Sequence, residues 1–373
     1  MNVNGIHHIT LIAADAQRTV DFYTRVMGLR LVKRTVNFDD PSSYHLYFGD
    51  AHGSPGSVLT FFAMPGVPQG RPGMGGTHHY ALTVQDGKAL RKWKRYLTDL
   101  GVNVNGPLDR HYFESLYFRD PEGTIVELAT RGPGWTVDEP ADALGTSDRQ
   151  PPASMVRANR DRARIDADTH PEPVPAITPD MALTAGMHHI SVIGSDVERT
   201  NDFYAGLLGM RLVKRTYNFD DPSSKHWYWG VGDGAPGTLV TYFQLDAQRA
   251  LPTRMGAGQT HHIALNVASD AEQLELRERL LVAGLRPSPV MDRTYFKSVY
   301  AQDPDGHIVE IATAGPGFAV DEPVEELGAR LMLPKWLEPH RAQIEGALPP
   351  LTVEPWRAPG ADDAQAADLE VAA

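Results

Sequence analysis

The stretch "GIHHIT" at 5–10 decides how this chain is organised, because three later segments begin in the same way. They read "GTHHYALTV" from Gly76, "GMHHIS" from Gly186 and "QTHHIALNV" from Gln259. In each segment a histidine pair is followed by mostly apolar residues, a pattern typical of a half-buried β-strand. Four similar strands therefore indicate four similar structural modules.

Two longer repeats show that the chain is a duplication. "GLRLVKRTVNFDDPSSYHLYFG" at 28–49 recurs as "GMRLVKRTYNFDDPSSKHWYWG" at 209–230, an offset of 181. The segment at 108–140 recurs at 291–323, an offset of 183. Agreement over such lengths is typical of repeated structural units. Each half then divides again at its two histidine pairs.

The first module illustrates the predicted order of elements. Its histidine strand is followed by Asp15, a residue type that favours helix N-caps, and then by a helix predicted to reach about Met27. Strands are predicted at 29–35, 44–49 and 57–63. This order is βαβββ, and the other three modules repeat it.

The predicted fold class is therefore α+β, with four βαβββ modules forming two open barrel-like sheets. The N-terminal half is predicted at 1–145, with modules at about 5–66 and 76–135, and the C-terminal half at 183–328, with modules at about 186–246 and 260–318. A linker at 146–182 joins the halves. A docking helix segment at 329–357 and a disordered tail at 358–373 follow them. The linker and the tail are predicted from their biased composition.

Composition excludes several function classes. With a formal net charge of −12, the chain lacks the basic excess that a nucleic-acid partner requires. No apolar run approaches the roughly 20 residues of a membrane span, and no signal peptide is apparent at the N-terminus. The chain has no cysteine, which excludes disulfides and thiolate metal sites. We therefore expect a cytoplasmic protein without a membrane or nucleic-acid partner.

The histidine pairs are candidates for function. Neighbouring side chains on a strand point to opposite faces, so only one histidine of each pair is expected on the concave face of a sheet. A lone strand histidine is more often a satisfied core residue. Four pairs at equivalent positions favour a functional role instead, although duplication also copies residues that do nothing.

Two glutamates stand on strands that are otherwise apolar, Glu127 in "GTIVELAT" and Glu310 in "GHIVEIAT". A buried carboxylate without a partner is costly, so each is expected to pair with a cation, either a metal or a buried arginine. At the corresponding place in the first and third modules stand Thr60 and Thr241. Two histidines and one glutamate per pair of modules leave coordination positions open, which favours non-haem Fe(II).

The stretches "HHIT", "LVKRTVNFDDP", "YHLYFG" and "DEP" resemble the vicinal oxygen chelate (glyoxalase/bleomycin resistance/dioxygenase) superfamily, and within it the ring-cleaving dioxygenases of the hydroquinone type. The resemblance covers roughly residues 4–350. It implies Fe(II), with Mn(II) as an alternative, O2 as co-substrate and a small aromatic substrate. It also implies that the first and fourth modules face one another, with His8, His262 and Glu310 as the metal ligands.

The same resemblance implies roles beside the metal for Thr10, His261, Arg293 and Tyr300. Tyr300 is expected to hydrogen-bond or protonate a reacting oxygen, and Arg293 to stabilise anionic charge or orient the substrate. Thr10 lies two residues after His8 and therefore on the same strand face.

This chain departs from that family pattern by keeping a second set of ligands. Relatives generally lose the ligands of the second and third modules, but here His79, Glu127 and His189 remain. The chain then carries either two metal sites or one site and a decaying copy of it. We favour two sites, because every ligand of the second set survives.

Other residues of the second set also have counterparts in the repeat. Arg110 and Tyr117 correspond to the arginine and tyrosine of the fourth module, and Ser191 replaces the threonine of the first. The residues alone leave the pairing of modules open. Pairing within each half would join His8 to the ligands of the second module, and His189 to those of the fourth.

The function predicted from these patterns is extradiol-type cleavage of a hydroquinone- or catechol-type ring by an Fe(II) dioxygenase, an oxidoreductase of aromatic degradation. One alternative is a metal-dependent lyase or isomerase of the glyoxalase kind, which would need a carboxylate where Thr60 and Thr241 stand. The other is a non-catalytic protein that binds an aromatic compound or drug. A homo-oligomer is also an expectation. His45 and His226 are assigned neither to the cavity nor to the sheet.

Overall fold

The structure, a computed structural model, describes residues 3–246 and 251–360. Residues 361–373, the greater part of the predicted disordered tail at 358–373, lie outside the described residues. Among the described helices, none is long and apolar enough to cross a membrane.

The strands of the described residues follow the predicted modules. In chain order they are β1 (Ile6–Ala13), β2 (Arg30–Asn37), β3 (Asp40–Gly49), β4 (Val58–Ala63), β5 (Gly76–Val84), β6 (Asn105–Asp109), β7 (Glu114–Arg119), β8 (Ile125–Thr130), β9 (Asp148–Arg149), β10 (Met187–Gly194), β11 (Arg211–Tyr217), β12 (Lys225–Gly230), β13 (Leu239–Gln244), β14 (Thr260–Val267), β15 (Met291–Asp292), β16 (Lys297–Gln302) and β17 (Ile308–Thr313).

One helix follows the first strand of every module. The α-helices are α1 (Ala16–Asp21), α2 (Gly87–Asp99), α3 (Arg162–Ala167), α4 (Val197–Asn201), α5 (Asp270–Val282) and α6 (Arg341–Ala347). Single π-helical turns at Phe22–Val26 and Asp202–Leu207 extend α1 and α4. Short 3-10 helices lie at Trp135–Val137, Ala141–Ala143, Ala153–Met155, Arg157–Asn159, Pro179–Met181, Phe318–Val320, Val324–Glu326 and Glu338–His340.

Local sequence explains where these helices begin. Asp15 accepts a hydrogen bond from Arg18 N at the start of α1, and Asp86 accepts one from Ala89 N at the start of α2. Ser269 caps α5 in the same way. A side-chain oxygen at the N-cap satisfies a backbone N–H that has no partner within the helix. The βαβββ order of each module is therefore encoded locally.

The described chain forms two compact units, and each unit combines one module from each half. The first unit comprises the described residues of 1–71, 121–123 and 254–358. Its mixed sheet has the strand order β15-β16-β17-β14-β1-β4-β3-β2. At its centre β1 of the first module runs antiparallel to β14 of the fourth. The first and fourth modules therefore share one sheet.

The second unit comprises the described residues of 72–120 and 124–253, besides a short C-terminal piece. Its sheet has the order β6-β7-β8-β5-β10-β13-β12-β11-β9, in which β5 and β10 are the central antiparallel pair. The predicted α+β fold with βαβββ modules in two open sheets is confirmed. The crossed pairing, which the sequence left open, joins the second module to the third.

Segments outside the modules also pack on these units. In the second unit, the predicted linker contributes β9, which pairs with β11, and α3. Lys94 of α2 donates hydrogen bonds to three carbonyl oxygens at the end of α3. In the first unit, the predicted docking segment contains α6, where Ile344 is buried and Tyr44 donates a hydrogen bond to Pro349 O.

Candidate metal centres and cavities

Strand register brings the ligands of the first site together. His8 on β1, Ala264 on β14 and Glu310 on β17 are direct neighbours across three strands. His262 lies two residues before Ala264 and therefore on the same face of the sheet. Because the Ala264 side chain on the middle strand is small, it leaves space on this face of the sheet between His8 and Glu310. Three potential ligands thus surround one point on the sheet.

The three side chains of this first site (His8, His262 and Glu310) are fully buried and converge. His8 Nε2 lies 3.3 Å from His262 Nε2 and 3.3 Å from Glu310 Oε2. His262 Nε2 lies 2.8 Å from the same carboxylate oxygen. Ser298 donates a hydrogen bond to the other oxygen, Glu310 Oε1. One carboxylate oxygen is therefore held by the protein, and the other faces two imidazoles.

A second site repeats this geometry in the second unit. His189, Ala81 and Glu127 are neighbours across three strands, and His79 lies two residues before Ala81. His79 Nε2 lies 3.1 Å from His189 Nε2 and 2.8 Å from Glu127 Oε2. Ser115 donates to Glu127 Oε1. Both predicted ligand sets are therefore assembled, each within one unit.

The donor sets fit a divalent cation. When the ligand histidines carry their protons on Nδ1, the buried Glu310 Oε2 and Glu127 Oε2 accept no hydrogen bond from the described residues, although an imidazole Nε2 lies 2.8 Å from each. In each site the three ligand atoms lie within 4.8 Å of one another. A buried carboxylate oxygen without a donor is expensive, and a cation bound by both imidazoles and the carboxylate would satisfy it.

The ionisation state of the glutamates also fits a cation site. Burial alone would raise the pKa of Glu310, but the neighbouring His8 and His262 lower that pKa well below its usual value. The pKa of Glu127 is lowered in the same way against the effect of burial, by His189 and His79. Both carboxylates therefore carry a negative charge at neutral pH.

A β-bulge places the first histidine of every pair. Ile6 and His8 pair with consecutive residues of β14, which makes His7 the extra residue on β1. The register skips His261 on β14, and the same irregularities occur at His78 and His188 in the second unit. Bulges re-aim side chains, so the strict alternation assumed from the sequence does not hold here.

These first histidines hold the ligand histidines. In each of the four pairs the two Nδ1 atoms are 2.7–2.9 Å apart. A ligand histidine that keeps its Nε2 lone pair for a metal carries its proton on Nδ1 and donates it to its neighbour. Burial lowers the pKa of His7 and His188 to about 3, and that of His261 to about 4, so these acceptors stay neutral.

An arginine and a tyrosine flank each site. In the first unit Arg293 Nε donates to Tyr300 Oη at 3.3 Å, and the Tyr300 ring lies edge-on to His262. Burial, with Glu310, raises the pKa of Tyr300, so its hydroxyl stays protonated. Thr294, the residue after Arg293, has a φ of 70°. This conformation is unfavourable for a β-branched residue.

The second unit has the same pair. Arg110 Nε lies 3.1 Å from Tyr117 Oη, and the Tyr117 ring lies edge-on to His79. Thr10 and Ser191, the other predicted site residues, hydrogen-bond Thr60 and Thr241 respectively. All the predicted site residues of each set therefore lie within a single unit.

Sequence reasoning missed a hydrogen-bonded chain beside each site. In the first unit Tyr47 Oη and His45 Nδ1 are 2.8 Å apart, His45 Nε2 and Thr60 Oγ1 are 2.8 Å apart, and Thr60 Oγ1 contacts Thr10 Oγ1 at 2.8 Å. In the second unit the equivalent chain is Tyr228, His226, Thr241 and Ser191. The signal was a histidine and a tyrosine two residues apart, hence on one strand face, retained in both repeats.

Each site opens into a cavity within its own unit. In the first unit the lining includes Asp39, His45, Tyr47 and Arg293 besides the ligands, and the cavity volume is about 30 Å³. The cavity of the second unit has a volume of about 300 Å³. Its lining includes the ligands, Arg110, Tyr117, His226 and Tyr228.

Comparisons with known proteins agree with this architecture. Residues 5–128 and 186–311 match the Glyoxalase/Bleomycin resistance protein/Dioxygenase superfamily. A Bacillus subtilis protein named "Putative ring-cleaving dioxygenase MhqO" is 33% identical over 353 residues, covering 94% of this chain and 97% of its own. The chlorohydroquinone/hydroquinone 1,2-dioxygenase of Sphingobium indicum is 28% identical over 341 residues, covering 90% and 93%.

Solved structures give the same result. The crystal structure of a "putative dioxygenase" from Bacillus subtilis superposes with a TM-score of 0.75 at 32% identity, covering 95% of this chain and 99% of that one. Glyoxalase I from Zea mays, at 17% identity and a TM-score of 0.55, covers 83% of this chain and 92% of its own and shows the fold alone.

The chain belongs to the Glyoxalase/Bleomycin resistance protein/Dioxygenase superfamily. Within that superfamily these relatives, which match over nearly their whole length, all carry the word dioxygenase in their names, which supports a dioxygenase role. The family resemblance predicted from the sequence is therefore confirmed.

The buried histidines predict that the metal-free protein loses stability in acid. In the unfolded chain these imidazoles bind protons near pH 6.5, whereas His7, His188 and His307 do so only near pH 3 when folded. Between those values the unfolded state binds more protons, so the free energy of unfolding should fall as pH drops from about 6.5. The two buried glutamates, whose pKa is low in the folded protein, should reduce the free energy of unfolding further once the pH falls below their pKa in the unfolded chain. Urea denaturation at pH 8, 7, 6, 5 and 4 measures this, and equal stability at pH 7 and 4 would contradict it.

Proposed function

We propose that this protein is a non-haem Fe(II)-dependent, extradiol-type ring-cleaving dioxygenase that acts with O2 on a hydroquinone- or catechol-type aromatic. The observation that carries the proposal is the pair of buried sites, each with two imidazoles and an unsatisfied carboxylate oxygen. The names of the full-length relatives support the same reaction class.

His8, His262 and Glu310 would hold one metal ion, and His79, His189 and Glu127 a second. Two histidines and one carboxylate would leave coordination positions open for a substrate oxygen and O2, and this donor set is typical of non-haem Fe(II), with Mn(II) as an alternative. When bound, the metal supplies Lewis acidity toward a ring hydroxyl and a site at which O2 is reduced.

The chain's own groups would orient the ring and manage its protons. Tyr300 and Tyr117 keep their hydroxyl protons, so each can donate a hydrogen bond to an oxygen in its cavity. Arg293 and Arg110 place a positive charge beside those hydroxyls and stabilise a ring oxygen that has lost its proton. Phe113 lines the cavity of the second unit as an apolar wall for an aromatic ring, and Phe296 lines the smaller cavity of the first unit.

The hydrogen-bonded chain from Tyr47 to Thr10 gives the cavity a second polar end. Tyr47 lines the cavity, and its hydroxyl contacts a histidine that burial holds well below its usual pKa and therefore neutral. Reversal of the hydrogen bonds along the chain changes Tyr47 Oη from acceptor to donor without moving a heavy atom. These hydrogen-bonded side chains can thus accept a hydrogen bond from a ring hydroxyl or donate one to a ring oxygen, without a net gain of a proton.

The hydrogen-bonded side chains beside each site predict a specific effect of the double variant Thr60→Val, Thr241→Val. We expect kcat to fall about tenfold or more, within the usual contribution of positioned acid–base groups, with a changed solvent isotope effect. The double Thr→Ser variant keeps both hydroxyls and should restore kcat. Equal rates and isotope effects in the valine variant and the wild type would show that the chain plays no part in turnover.

The alternatives have less support. A glyoxalase-type lyase would need a carboxylate at Thr60 and Thr241, where each unit instead has a hydroxyl engaged with histidine and serine or threonine. A purely binding protein would not need two buried sets of metal ligands. The expected cytoplasmic location and homo-oligomeric state stay predictions from the sequence.

Oxygen consumption tests the proposal directly. Protein reconstituted with Fe(II) without oxygen should, on adding hydroquinone or catechol in air-saturated buffer, consume one O2 for each ring opened. The ring-opened carboxylate product would be identified by mass spectrometry. Neither a lyase nor a binding protein consumes O2, so substrate binding without O2 uptake would overturn the proposal.

A further inference from the structure

The two cavities differ in volume about tenfold, although their ligand sets are alike. The cavity of the second unit, about 300 Å³, is within the size range of roughly 300–1,000 Å³ that is usual for small-molecule pockets. The cavity of the first unit, about 30 Å³, has room for only a few water molecules. The cavity of the second unit is therefore better suited by its size to hold a substituted ring.

Packing on one phenylalanine is part of this difference. In the first unit Phe38 lines the cavity, and Trp336 packs edge-on against it at 5.5 Å between ring centroids. In the second unit the corresponding Phe219 also lines the cavity. There the smaller and more flexible Met155 packs against the core cluster that contains Phe219. The tryptophan that packs on Phe38 in the first unit is thus matched by a smaller side chain near Phe219 in the second.

The charged side chains at the open end of the cavity, its mouth, also differ between the two units. In the first unit one arginine meets one carboxylate, because Arg293 pairs with Asp39 at 3.2 Å. In the second unit Asp220 is already paired with both Arg110, at 3.4 Å, and Arg160, at 2.6 Å.

A third arginine has no such partner. Arg157 also lines the second cavity, and no carboxylate of the described residues forms an ion pair with it. Three arginines against one aspartate leave a surplus of positive charge around the second mouth. An excess of one sign of charge at a cavity entrance favours ligands of the opposite sign.

We propose that the site of the second unit takes a dihydroxylated ring that carries a carboxylate substituent. This inference rests on the proposed function, which places one ring hydroxyl at the metal end of the cavity. The substituent then points toward the mouth, where the planar guanidinium of Arg157 can bind a carboxylate through two parallel hydrogen bonds. The first unit has no arginine beyond the one already paired with Asp39 among its cavity-lining residues, and would not share this preference.

Calorimetric titration without oxygen tests the proposal without relying on turnover. Fe(II)-loaded protein carrying Glu310→Ala, which retains only the second site, is titrated with 2,5-dihydroxybenzoate and with hydroquinone. We expect the carboxylated ring to bind about tenfold more tightly or better. Arg157→Gln should remove that preference while leaving hydroquinone binding unchanged, and Arg157→Lys should keep part of it. Arg157 is exposed, so neither change should affect folding.

The outcomes separate the inference from the proposed function. Equal affinity for the two rings, or a preference that survives Arg157→Gln, overturns the inference and leaves ring cleavage standing. Protein carrying Glu127→Ala instead of Glu310→Ala retains only the first site. If this variant also prefers the carboxylated ring, the preference belongs to the first site and the inference is overturned. If metal-loaded protein binds neither ring, the proposed function fails and the inference fails with it.

Discussion

Replacing Glu310 and Glu127 together by alanine should abolish Fe(II) binding. Wild-type protein reconstituted without oxygen is expected to hold about two irons per chain, since two complete ligand sets are assembled. Each glutamate contributes the negative charge of its site, and two neutral imidazoles alone hold a divalent ion weakly. Each single variant should therefore keep about one iron, and the double variant almost none. Elemental analysis of protein freed from unbound metal measures this ratio.

Activity in the same samples tests how the two sites function. O2 uptake should disappear with iron in the double variant, while Glu198→Ala, at an exposed surface glutamate, should keep both iron and activity. A double variant that retains its iron and activity would overturn both metal sites. About one iron in the wild type would show that one ligand set is a relic, and the single variant that loses this iron would identify the working site.

Replacing Lys33 by alanine should destabilise the first unit by about 3–5 kcal/mol, because it leaves two carboxylates without their cation. Lys33 is fully buried, lies 2.6 Å from Asp321, and also donates to the buried Glu322. Its Nζ stacks over the ring of Tyr295, whose hydroxyl donates to Asp321 as well. Removing one partner of a buried ion pair is costly, since Glu322 would stay buried without its cation.

The duplication provides a matched experiment in the second unit. Lys214 makes the same contacts with Asp138 and Glu139, so Lys214→Ala should have an effect of similar size on the second unit. Lys297, whose pair with Asp270 is exposed, is the control and should change stability little. Urea unfolding followed by circular dichroism measures all three variants. If Lys33→Ala and Lys214→Ala unfold at the same urea concentration as the control, the buried clusters do not contribute to stability.

Some features could be predicted from the sequence because they depend on neighbouring residues. Helix caps such as Asp15 act within one turn, and strand patterns repeat every two residues, so the βαβββ order was readable locally. The sequence also indicated that Glu310 needs a buried partner, because it stands on an apolar strand, whereas the choice of His8 and His262 as its partners was implied by the family resemblance. Duplication strengthened both predictions by showing each pattern twice.

Other features depend on which strands become neighbours, and only the tertiary structure decides that. The antiparallel pairing of β1 with β14 joins residues that are over 250 positions apart, and no local pattern distinguishes it from pairing within a half. The bulges that turn His7 and His261 toward their neighbours arise from the register of that same pairing. The chain from Tyr47 to Thr10 likewise exists only because β1, β3 and β4 lie side by side.

The sequence by itself therefore determined the modules, their duplication and the residue types able to hold a metal. The tertiary structure decided which modules share a sheet, how the paired histidines are oriented, and why one cavity is larger and more positive than the other. The physical reason is range: capping and strand alternation act over a few residues, whereas cavity volume and charge depend on side chains such as Trp336 and Arg157 that approach from distant segments.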